Sequence, residues 1–395
     1  MGTRTTGRCP DDERALLVFN EPQIGDEEVE EVVACLRSGW IGAGPRVARF
    51  EREFAAFKGV EHVAAVGSCS AALHLSVLIA GVQSGDEVIT SPLTFCSTVN
   101  AIIHAGGQPV LADIDPITMN LDPREVEARI TGRTRALVPV HFAGRPCDMD
   151  ALGAIARRHG LRVIEDCAHA IEAEYRGRGV GTLGDFGCFS FYATKNVTTG
   201  EGGMVIASRE QDLEKVRILA SNGIRKDAWR RFQEAGYEHY SAVDIGFKYN
   251  MMDLEAAIGI HQLRRVIGNW ERRRAIWSRY LDAFAGLPLS LPAAPDPATR
   301  HACHLFTVLV DDRLAGITRD EFLAAMTDLG VGVGVHYMSV PEHPAYRERF
   351  GWRPEDWPVA MRIGRQTVSL PLSPTLTETD VERVVCAVRL TLGHS

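Results

Sequence analysis

The chain has 395 residues and a formal net charge of −8. A chain of this length can bury a large core, and it favours two or three structural units over one small module. Lys and Arg form no dense block, so the composition argues against a nucleic-acid-binding protein.

Membrane and disulfide signals are weak throughout. No apolar run reaches the roughly 20 residues that cross a bilayer, and the N-terminus lacks the apolar stretch of a signal peptide. We therefore expect a cytoplasmic protein without membrane contact. The nine cysteines are scattered without a C-x-x-C pair, which predicts neither a disulfide framework nor a metal site, and we expect most of them to be reduced.

The first predicted helix spans about Asp26 to Ser38, with acidic residues in its opening turn and a glycine behind it. A second predicted helix covers 50–57. Strand-like and helix-like pieces then alternate as far as VIEDC, beginning with HVAAVGS and SAALHLSVLIAGV. This rhythm is typical of a mostly parallel α/β sheet flanked by helices.

The second half of the chain departs from this rhythm. FGCFSFYATK and GGMVIAS follow each other without a helix, which predicts a hairpin at the sheet edge. Residues 253–284 form one long helical pattern, and beyond it HLFTVLV and GVGVHY are predicted strands of a smaller C-terminal α/β domain. The predicted division is an N-terminal extension at 1–25, a large domain at 26–263, and the connecting helix with the small domain at 264–395.

Ligands of such sheets bind beyond the carboxyl ends of the strands, and two motifs stand there. GSCSAALH joins a strand to a helix through small residues, whose free N–H groups would suit a phosphate, although an ordinary tight turn explains it equally well. VIEDCAHA ends a buried strand at Asp166. A buried carboxylate needs a cation or good hydrogen bonds, and the alternative is a helix N-cap.

Two further residues complete the set of candidates. Lys195, in FSFYATKNVTTGEGG, lies at the start of a Thr- and Gly-rich turn. An enclosed lysine tends to lose its proton and can form a Schiff base. The alternative is a lone lysine, which usually reaches to the surface. Phe95 follows a strand, and core packing is its alternative explanation. A phosphate cradle, a carboxylate, an aromatic face and an amine match the parts of pyridoxal 5'-phosphate (PLP), which is therefore the predicted cofactor.

With these residues the sequence resembles the DegT/DnrJ/EryC1/StrS family of PLP-dependent sugar aminotransferases. The resemblance runs over about 19–388 and is carried by SGWIGAGPRVARFEREFA, GDEVITSPLTFCSTVNAI, GFKYNMMDLEAAIG and a lysine in S-F-x-x-x-K-N about thirty residues after E-D-x-A-H/Q-A. It implies the fold type I architecture of the aspartate aminotransferases, with a large PLP-binding domain and a smaller C-terminal domain.

The resemblance also implies a role for each site residue. Lys195 would form the Schiff base, Asp166 would keep the pyridinium nitrogen protonated, and His169 and Phe95 would lie against the cofactor ring. The implied phosphate-binding residues are Cys69, through its backbone, Ser70, Ser190 and, from the neighbouring subunit of a homodimer, Asn250, with Lys248 as the alternate. The family often reads V-H-Y-x-P-L-H, but VHYMSVPEHP has Pro341 in place of the second histidine, so its substrate contact is not carried over.

The implied activity moves an amino group, most often from glutamate, to a nucleotide-linked keto sugar, with dTDP-4-keto-6-deoxyhexose favoured, in polysaccharide or antibiotic biosynthesis. An aminotransferase for a cyclitol or aminobenzoate precursor remains an alternative, because the cofactor-binding residues do not decide the acceptor. A sugar-nucleotide dehydratase is disfavoured, because such relatives lack the lysine. A PLP-binding regulator without turnover is the remaining alternative.

Overall fold

The computed structural model describes residues 16–225 and 241–394, so most of the predicted N-terminal extension 1–25 lies outside the described residues. The strands are β1 (Val63–Val66), β2 (Glu87–Thr90), β3 (Gln108–Leu111), β4 (Thr134–Val138), β5 (Arg162–Asp166), β6 (Glu174–Tyr175), β7 (Arg178–Gly179), β8 (Phe186–Ser190), β9 (Gly203–Ala207), β10 (Thr299–Arg300), β11 (Phe306–Leu309) and β12 (Thr367–Leu370). The α-helices are α1 (Asp26–Ser38), α2 (Pro45–Lys58), α3 (Cys69–Ile79), α4 (Cys96–His104), α5 (Pro123–Arg129), α6 (Met149–His159), α7 (Glu210–Ala220), α8 (Asp253–Phe284), α9 (Asp312–Ala315), α10 (Arg319–Asp328), α11 (Pro344–Phe350), α12 (Pro358–Gln366) and α13 (Glu378–Thr391).

A seven-stranded sheet in the order β1-β9-β8-β5-β4-β2-β3 forms the large domain. All of its strands run parallel except β9, which is antiparallel to both neighbours. The predicted hairpin of β8 and β9 is confirmed, but its placement at the sheet edge is wrong. The buried VAAV strand β1 pairs with the free side of β9, so β1 is the edge.

Helices cover both faces of this sheet and confirm the predicted fold class. On one face Leu73 and Leu75 of α3 and Val216 of α7 pack with the buried strand residues Ile164 and Phe186. The opposite face is buried under α2, α8 and α6, in two further apolar clusters. The second helix, predicted at 50–57, begins earlier, because Pro45 suits its first turn.

The smaller unit contains the antiparallel pair β11–β12 and helices α10 and α13. Its core includes Tyr280, Phe306 and Phe322, which are fully buried. The predicted strand GVGVHY is wrong: an isolated bridge at Gly334 forms within it, and another forms at Val331, just before it. A Cβ on Gly332 would lie 2.9 Å from the carbonyl oxygen of Leu17, so this segment packs against the N-terminal chain rather than into a ladder.

The long helix α8 has the predicted bounds and joins the two cores. Ile260 and Leu263 pack in the large domain, whereas Ile276 and Tyr280 pack in the small one. No helix of the described residues combines the length and apolar character needed to cross a membrane. Seven cysteines of the described chain are free thiols, as expected for most of them.

Candidate functional site

The carboxyl ends of the parallel strands β1, β5 and β8 meet at one edge of the sheet. β1 leads into α3, β5 ends at Asp166, and β8 ends at Ser190, five residues before Lys195. The structure therefore brings three of the predicted motifs together at one edge, where α/β proteins bind their ligands.

A tight cradle forms where α3 begins. Ser68 caps the helix by accepting a hydrogen bond from the Ala71 N–H at 3.1 Å. Gly203 pairs with Ser190 across the β8–β9 ladder, and a Cβ on Gly203 would lie only 2.5 Å from the carbonyl carbon of Ser68. The start of α3 and Ser190 are thus neighbours, and the close approach requires glycine between them.

The two predicted cradle residues differ in exposure. Ser70 is exposed in the first turn of α3, so its hydroxyl is available to a ligand. Cys69 is buried, and burial holds the pKa of its thiol well above the usual range. Its side chain is therefore a neutral thiol, which fits the expectation that only its backbone contacts an anion.

Asp166 is a buried carboxylate whose hydrogen-bond donors among the described residues are all neutral. Thr98 Oγ1 donates to Oδ2 at 2.8 Å, and the N–H of Ala168 donates to Oδ1 at 3.1 Å. Burial raises the pKa of Asp166, while these bonds and the charge of Lys195 lower it in part. No helix begins between Asp166 and β8 in the described chain, so the alternative of a helix N-cap is wrong.

Lys195 is a half-buried amine, and the peptide group that precedes it is hydrogen-bonded at both its N–H and its carbonyl. Its N–H donates to the carbonyl of Tyr192 at 2.9 Å, and the amide of Asn20 donates to the carbonyl of Thr194. Burial lowers the pKa of Lys195 to about 8, and Cys69 and Asp166 oppose part of that fall. The residue is only partly exposed, so the alternative of a lysine that reaches into bulk water does not fit.

Aromatic side chains line the site beside Lys195. Phe95 is 56% exposed, so the core-packing alternative is wrong, and its ring lies 5.9 Å from that of Tyr337. The Nδ1 of His169 accepts from the N–H of Ala143 at 3.2 Å, and its Nε2 lies 2.8 Å from the Tyr337 hydroxyl. Burial lowers the pKa of His169 well below its usual range, so Nε2 carries the one ring proton and donates it to Tyr337.

Asn250 lies beside the end of β1 in its own chain, and a Cβ on Gly67, just before the cradle, would lie 3.8 Å from its carbonyl oxygen. It pairs with Val66, which faces Gly203, which in turn faces Ser190. Three strand spacings separate Asn250 from Ser190, or about 14 Å. Lys248 donates to the Asn250 side chain, and both residues line an open groove of about 1080 Å³.

The segment after VHY, which departs from the family pattern, is held by contacts within this chain. Ser339 is fully buried and donates to the carbonyl of Ala360 at 2.7 Å. His336 lies 3.0 Å from the Ser369 hydroxyl, and burial lowers its pKa to about 4, whereas His343 stands before α11. His336 and His343 lie near Pro341, which replaces the second histidine of the family pattern. Of these two histidines, only His336 has a ring close to that of His169, at 6.5 Å.

A buried group of His141, Glu165 and Cys167 has the atom types of a metal site. Glu165, however, accepts hydrogen bonds from three backbone N–H groups, those of Gly181 and of residues 183 and 184, and lies 3.1 Å from the His141 ring. Its oxygens are therefore already satisfied by the chain, and the group serves to fix the end of β5.

Several contacting residues were missed by the sequence reasoning. Thr98 and Tyr337 lie inside quoted motifs but carry no local signal for their roles. His304, whose ring is 4.4 Å from that of His169, gave no signal beyond a predicted strand. Their partners are distant in sequence, so only the folded chain shows them.

The residues at this edge fit the predicted cofactor. Within residues 16–225 and 241–394 no cation donates a hydrogen bond to Asp166, which leaves its charge free for a pyridinium. Lys195 supplies an amine that titrates near neutral pH, and the glycine-backed start of α3 supplies N–H groups for a phosphate. Phe95 offers an exposed ring face for a planar ligand.

Comparison with known proteins extends these observations. A model of the DegT/DnrJ/EryC1/StrS aminotransferase family matches residues 22–389. The spore coat polysaccharide biosynthesis protein SpsC of Bacillus subtilis (strain 168) is 48% identical over 375 residues, which cover 94% of this chain and 96% of SpsC.

Solved structures of aminotransferases superpose on nearly the whole length of this chain. Spr1654 from Streptococcus pneumoniae, in its PLP form, has a TM-score of 0.88 and 29% identity, covering 96% of this chain and 99% of its own. Sugar aminotransferase CalS13 from Micromonospora echinospora has a TM-score of 0.84 and 28% identity, covering 95% and 100%. The comparisons confirm the predicted resemblance, the fold type I architecture and PLP as the cofactor.

Proposed function

This chain belongs to the DegT/DnrJ/EryC1/StrS aminotransferase family, and from that premise we propose that it moves an amino group from glutamate to a nucleotide-linked keto sugar. One observation carries the proposal: Lys195, with a pKa lowered to about 8, stands at the same sheet edge as the buried carboxylate of Asp166. The sugar acceptor is supported by CalS13, a sugar aminotransferase, and by SpsC, named for polysaccharide biosynthesis. The favoured acceptor is dTDP-4-keto-6-deoxyhexose.

PLP, when bound, supplies an aldehyde for amino groups and a ring that accepts electron density. Lys195 supplies the proton transfer: with a pKa of about 8, its Nζ exists in both protonated and neutral forms near neutral pH. The neutral amine can take a proton from the carbon that carries the amino group. The resulting ammonium can then give that proton to a different carbon. Asp166, buried and acceptor-only when ionised, would hold a proton on the ring nitrogen of the bound cofactor.

The remaining site residues bind and orient the cofactor. We assign the phosphate to the backbone N–H groups of Cys69 and Ser70, at the start of α3, and to the hydroxyls of Ser70 and Ser190. Phe95 and His169 would lie against the ring of the bound cofactor. His169 is neutral because burial lowers its pKa, so it adds no positive charge beside Lys195.

We further propose a homodimer in which the sites are shared. Asn250 completes the phosphate site of the partner subunit, with Lys248 as the alternate. The supporting observations are that Asn250 pairs with the side of β1 that faces away from Ser190, and that it lines an open groove together with Lys248. Ile41 and Met252 line that groove and are 48% and 43% exposed. Exposed apolar residues in a groove are typical of a protein–protein interface.

The domain division 1–25, 26–263 and 264–395 is part of the same proposal. It is supported by Leu263, which packs in the large-domain core, and by Ile276, which packs in the small-domain core. Because α8 runs unbroken between them, the boundary lies within a helix and not in a flexible linker.

The decisive experiment is an acceptor screen. The purified PLP-loaded protein is mixed with glutamate, and the visible absorbance of the cofactor is followed before and after addition of dTDP- and UDP-linked keto sugars. We expect glutamate to remove the visible band, one keto sugar to restore it, and mass spectrometry to find the aminated sugar nucleotide. Lys195→Arg, which keeps a cation but not an amine that titrates near neutral pH, is the matched control. In that variant we expect glutamate to leave the visible band unchanged and no aminated sugar nucleotide to form.

Two other results would contradict the proposal. A protein whose band responds to glutamate but whose only amination product is a cyclitol or an aminobenzoate precursor has a different acceptor. A protein whose band responds to no amino acid at all is a PLP-binding regulator and not an aminotransferase.

A further inference from the structure

Residues 17–23 run from the small domain to the large one outside the helices and strands, and we call them the N-terminal strap. The first strap residue is fixed to the small domain, because the N–H of Leu17 donates to the carbonyl of Gly330 at 2.9 Å. Phe19 then stacks on His336, with ring centroids 5.4 Å apart. The strap is therefore held against the small domain before it reaches the site.

The other end of the strap is anchored as well. Ser373, a buried residue just after β12, donates from its hydroxyl to the carbonyl of Glu21 at 3.2 Å. Nε2 of Gln262, on α8, donates to the carbonyl of Gln23 at 2.6 Å. Asn20 thus lies between two stretches of backbone that the rest of the chain holds in place.

Asn20 contacts the turn that carries Lys195. Its Nδ2 donates to the carbonyl of Thr194, and because a carbonyl can only accept, the amide has one possible orientation. In the part of the chain that the structure describes, no other donor reaches this carbonyl. Asn20 and Lys195 also line the same small cavity. The contact is therefore made at the peptide group that leads into Lys195.

The residue on the other side of Lys195 is fixed by the protein core. Nδ2 of Asn196 donates to Glu172 at 2.8 Å, and its Oδ1 lies 2.8 Å from Nδ1 of His304. Glu172 in turn forms an ion pair with the buried Arg273. Lys195 thus stands between an anchor in the core and an anchor supplied by the strap. A lysine side chain is long and flexible, so the reach of its amine depends first on where these anchors place its backbone.

We propose that Asn20 is a positioning residue for Lys195: its hydrogen bond to Thr194 holds the turn where the amine can bond to PLP. The proposal rests on the proposed function, in which Lys195 is the catalytic amine. A misplacement of about 1 Å in a reacting group can cost on the order of a hundredfold in rate, so one hydrogen bond beside the lysine has a functional effect. Asn20 acts through the turn and not through a contact of its own with the reacting atoms.

Two forms of the cofactor separate positioning from a general loosening of the site. PLP joins the lysine as a Schiff base: Nζ attacks the aldehyde carbon, a C=N bond replaces the C=O bond, and one water leaves. Pyridoxamine 5'-phosphate carries an amine in place of the aldehyde and makes no bond to Lys195. A displaced lysine therefore weakens the binding of PLP alone, whereas a damaged phosphate or ring site weakens the binding of both forms.

The test compares substitutions at two amides of the strap. Asn20→Leu removes the donor with little change of shape and without adding a charge. Gln23→Met is the matched control, because Gln23 lines the same cavity but its side-chain oxygen has no hydrogen-bond partner in the described chain. The affinities of the full-length apoprotein for PLP and for pyridoxamine 5'-phosphate are measured by equilibrium dialysis.

We expect Asn20→Leu to bind PLP roughly fivefold more weakly, the effect of one net hydrogen bond, and to bind pyridoxamine 5'-phosphate as the wild type does. Gln23→Met should match the wild type for both forms. An unchanged PLP affinity in Asn20→Leu, an equal loss for the two forms, or the same loss in Gln23→Met overturns the proposal.

A second variant keeps the inference testable if Asn20→Leu does not fold. Asn20→Asp keeps the shape and polarity of the side chain, but an ionised carboxylate cannot donate to the carbonyl of Thr194, so the same selective loss of PLP affinity is expected at pH 8. No keto sugar enters these measurements. A protein that shows the selective loss but aminates no sugar contradicts the proposed function alone, and one that aminates a sugar without the selective loss contradicts this inference alone.

Discussion

The hydroxyl of Thr98 donates a 2.8 Å hydrogen bond to Oδ2 of Asp166, and both side chains are buried. Thr98 also lies 2.8 Å from the hydroxyl of Thr94, so its proton has a defined direction. This bond joins the first turn of α4 to the end of β5 and lowers the pKa of Asp166 against the effect of burial. It holds one oxygen of the carboxylate that the proposed function assigns to the cofactor ring.

Thr98→Val keeps the shape of the side chain and removes this hydrogen bond. A lost hydrogen bond to a buried charged group costs about 1.5–3 kcal/mol, so PLP should bind roughly tenfold or more weakly. The measurement is equilibrium dialysis of PLP against the apoprotein, with Thr98→Ser, which retains the hydroxyl, as the control. Equal affinity in Thr98→Val and the wild type would show that Asp166 needs no support from Thr98.

The lowered pKa of Lys195 sets the expected pH dependence. A base works only when unprotonated, and burial moves the pKa from the usual value near 10.5 down to about 8. The rate of the glutamate half-reaction should therefore rise with pH and level off above about 8, whereas an unperturbed lysine would still be gaining activity at pH 9. Stopped-flow absorbance under single-turnover conditions measures this. A rate that keeps rising through pH 10 would contradict the role of burial.

The sequence predicted most of the scaffold because the signals are local. The bounds of α1 and α8 follow from apolar spacing, acidic first turns and closing residues, and the structure has the same bounds. The misplaced hairpin and the absent strand at 332–337 depended on pairing with distant residues, those of β1 and of Leu17. No local pattern records such a partner.

The same distinction holds for the site. Lys195 and Asp166 lie in motifs whose residue types already suggest their chemistry. The bond from Asn196 to His304 spans 108 residues and that from Glu172 to Arg273 spans 101, so spacing alone could not find them. The burial that lowers the pKa of Lys195 is likewise a property of the packed site.

Gly203 tests the close packing behind the phosphate cradle. A Cβ at this position would lie 2.5 Å from the carbonyl carbon of Ser68 and 2.7 Å from the N of Cys69, both backbone atoms. Gly203→Ala must therefore displace the start of α3, at a cost of about 1–3 kcal/mol in the free energy of unfolding, and weaken PLP binding.

Urea unfolding and PLP dialysis measure the two effects. Gly268→Ala is the matched control, because a Cβ there meets nothing within 4 Å and the residue lies inside α8, where alanine is the better helix former. We expect that variant to be as stable as the wild type or more so. If Gly203→Ala also matched the wild type in both measurements, the cradle would not be as tightly packed as the structure has it.

Shared active sites predict complementation between two inactive variants. Lys195→Ala lacks the amine and Asn250→Ala lacks the group assigned to the partner's phosphate site. In a mixed dimer, one site combines Lys195 from one subunit with Asn250 from the other and is therefore intact, while the second site carries both changes. Random mixing makes half of the dimers mixed, so about a quarter of all sites should regain wild-type activity.

The two variants are unfolded together, refolded and assayed for amination against each variant refolded alone. If both residues serve a site within one chain, no mixed dimer contains an intact site and activity stays at the mean of the two parents. Lys248→Ala replaces Asn250→Ala in a parallel mixture, which identifies the residue that crosses the interface. Asn250 donates to the carbonyl of Met251 and accepts from Lys248 in its own chain, so recovery with only the Lys248 variant would assign Asn250 to holding that lysine in place.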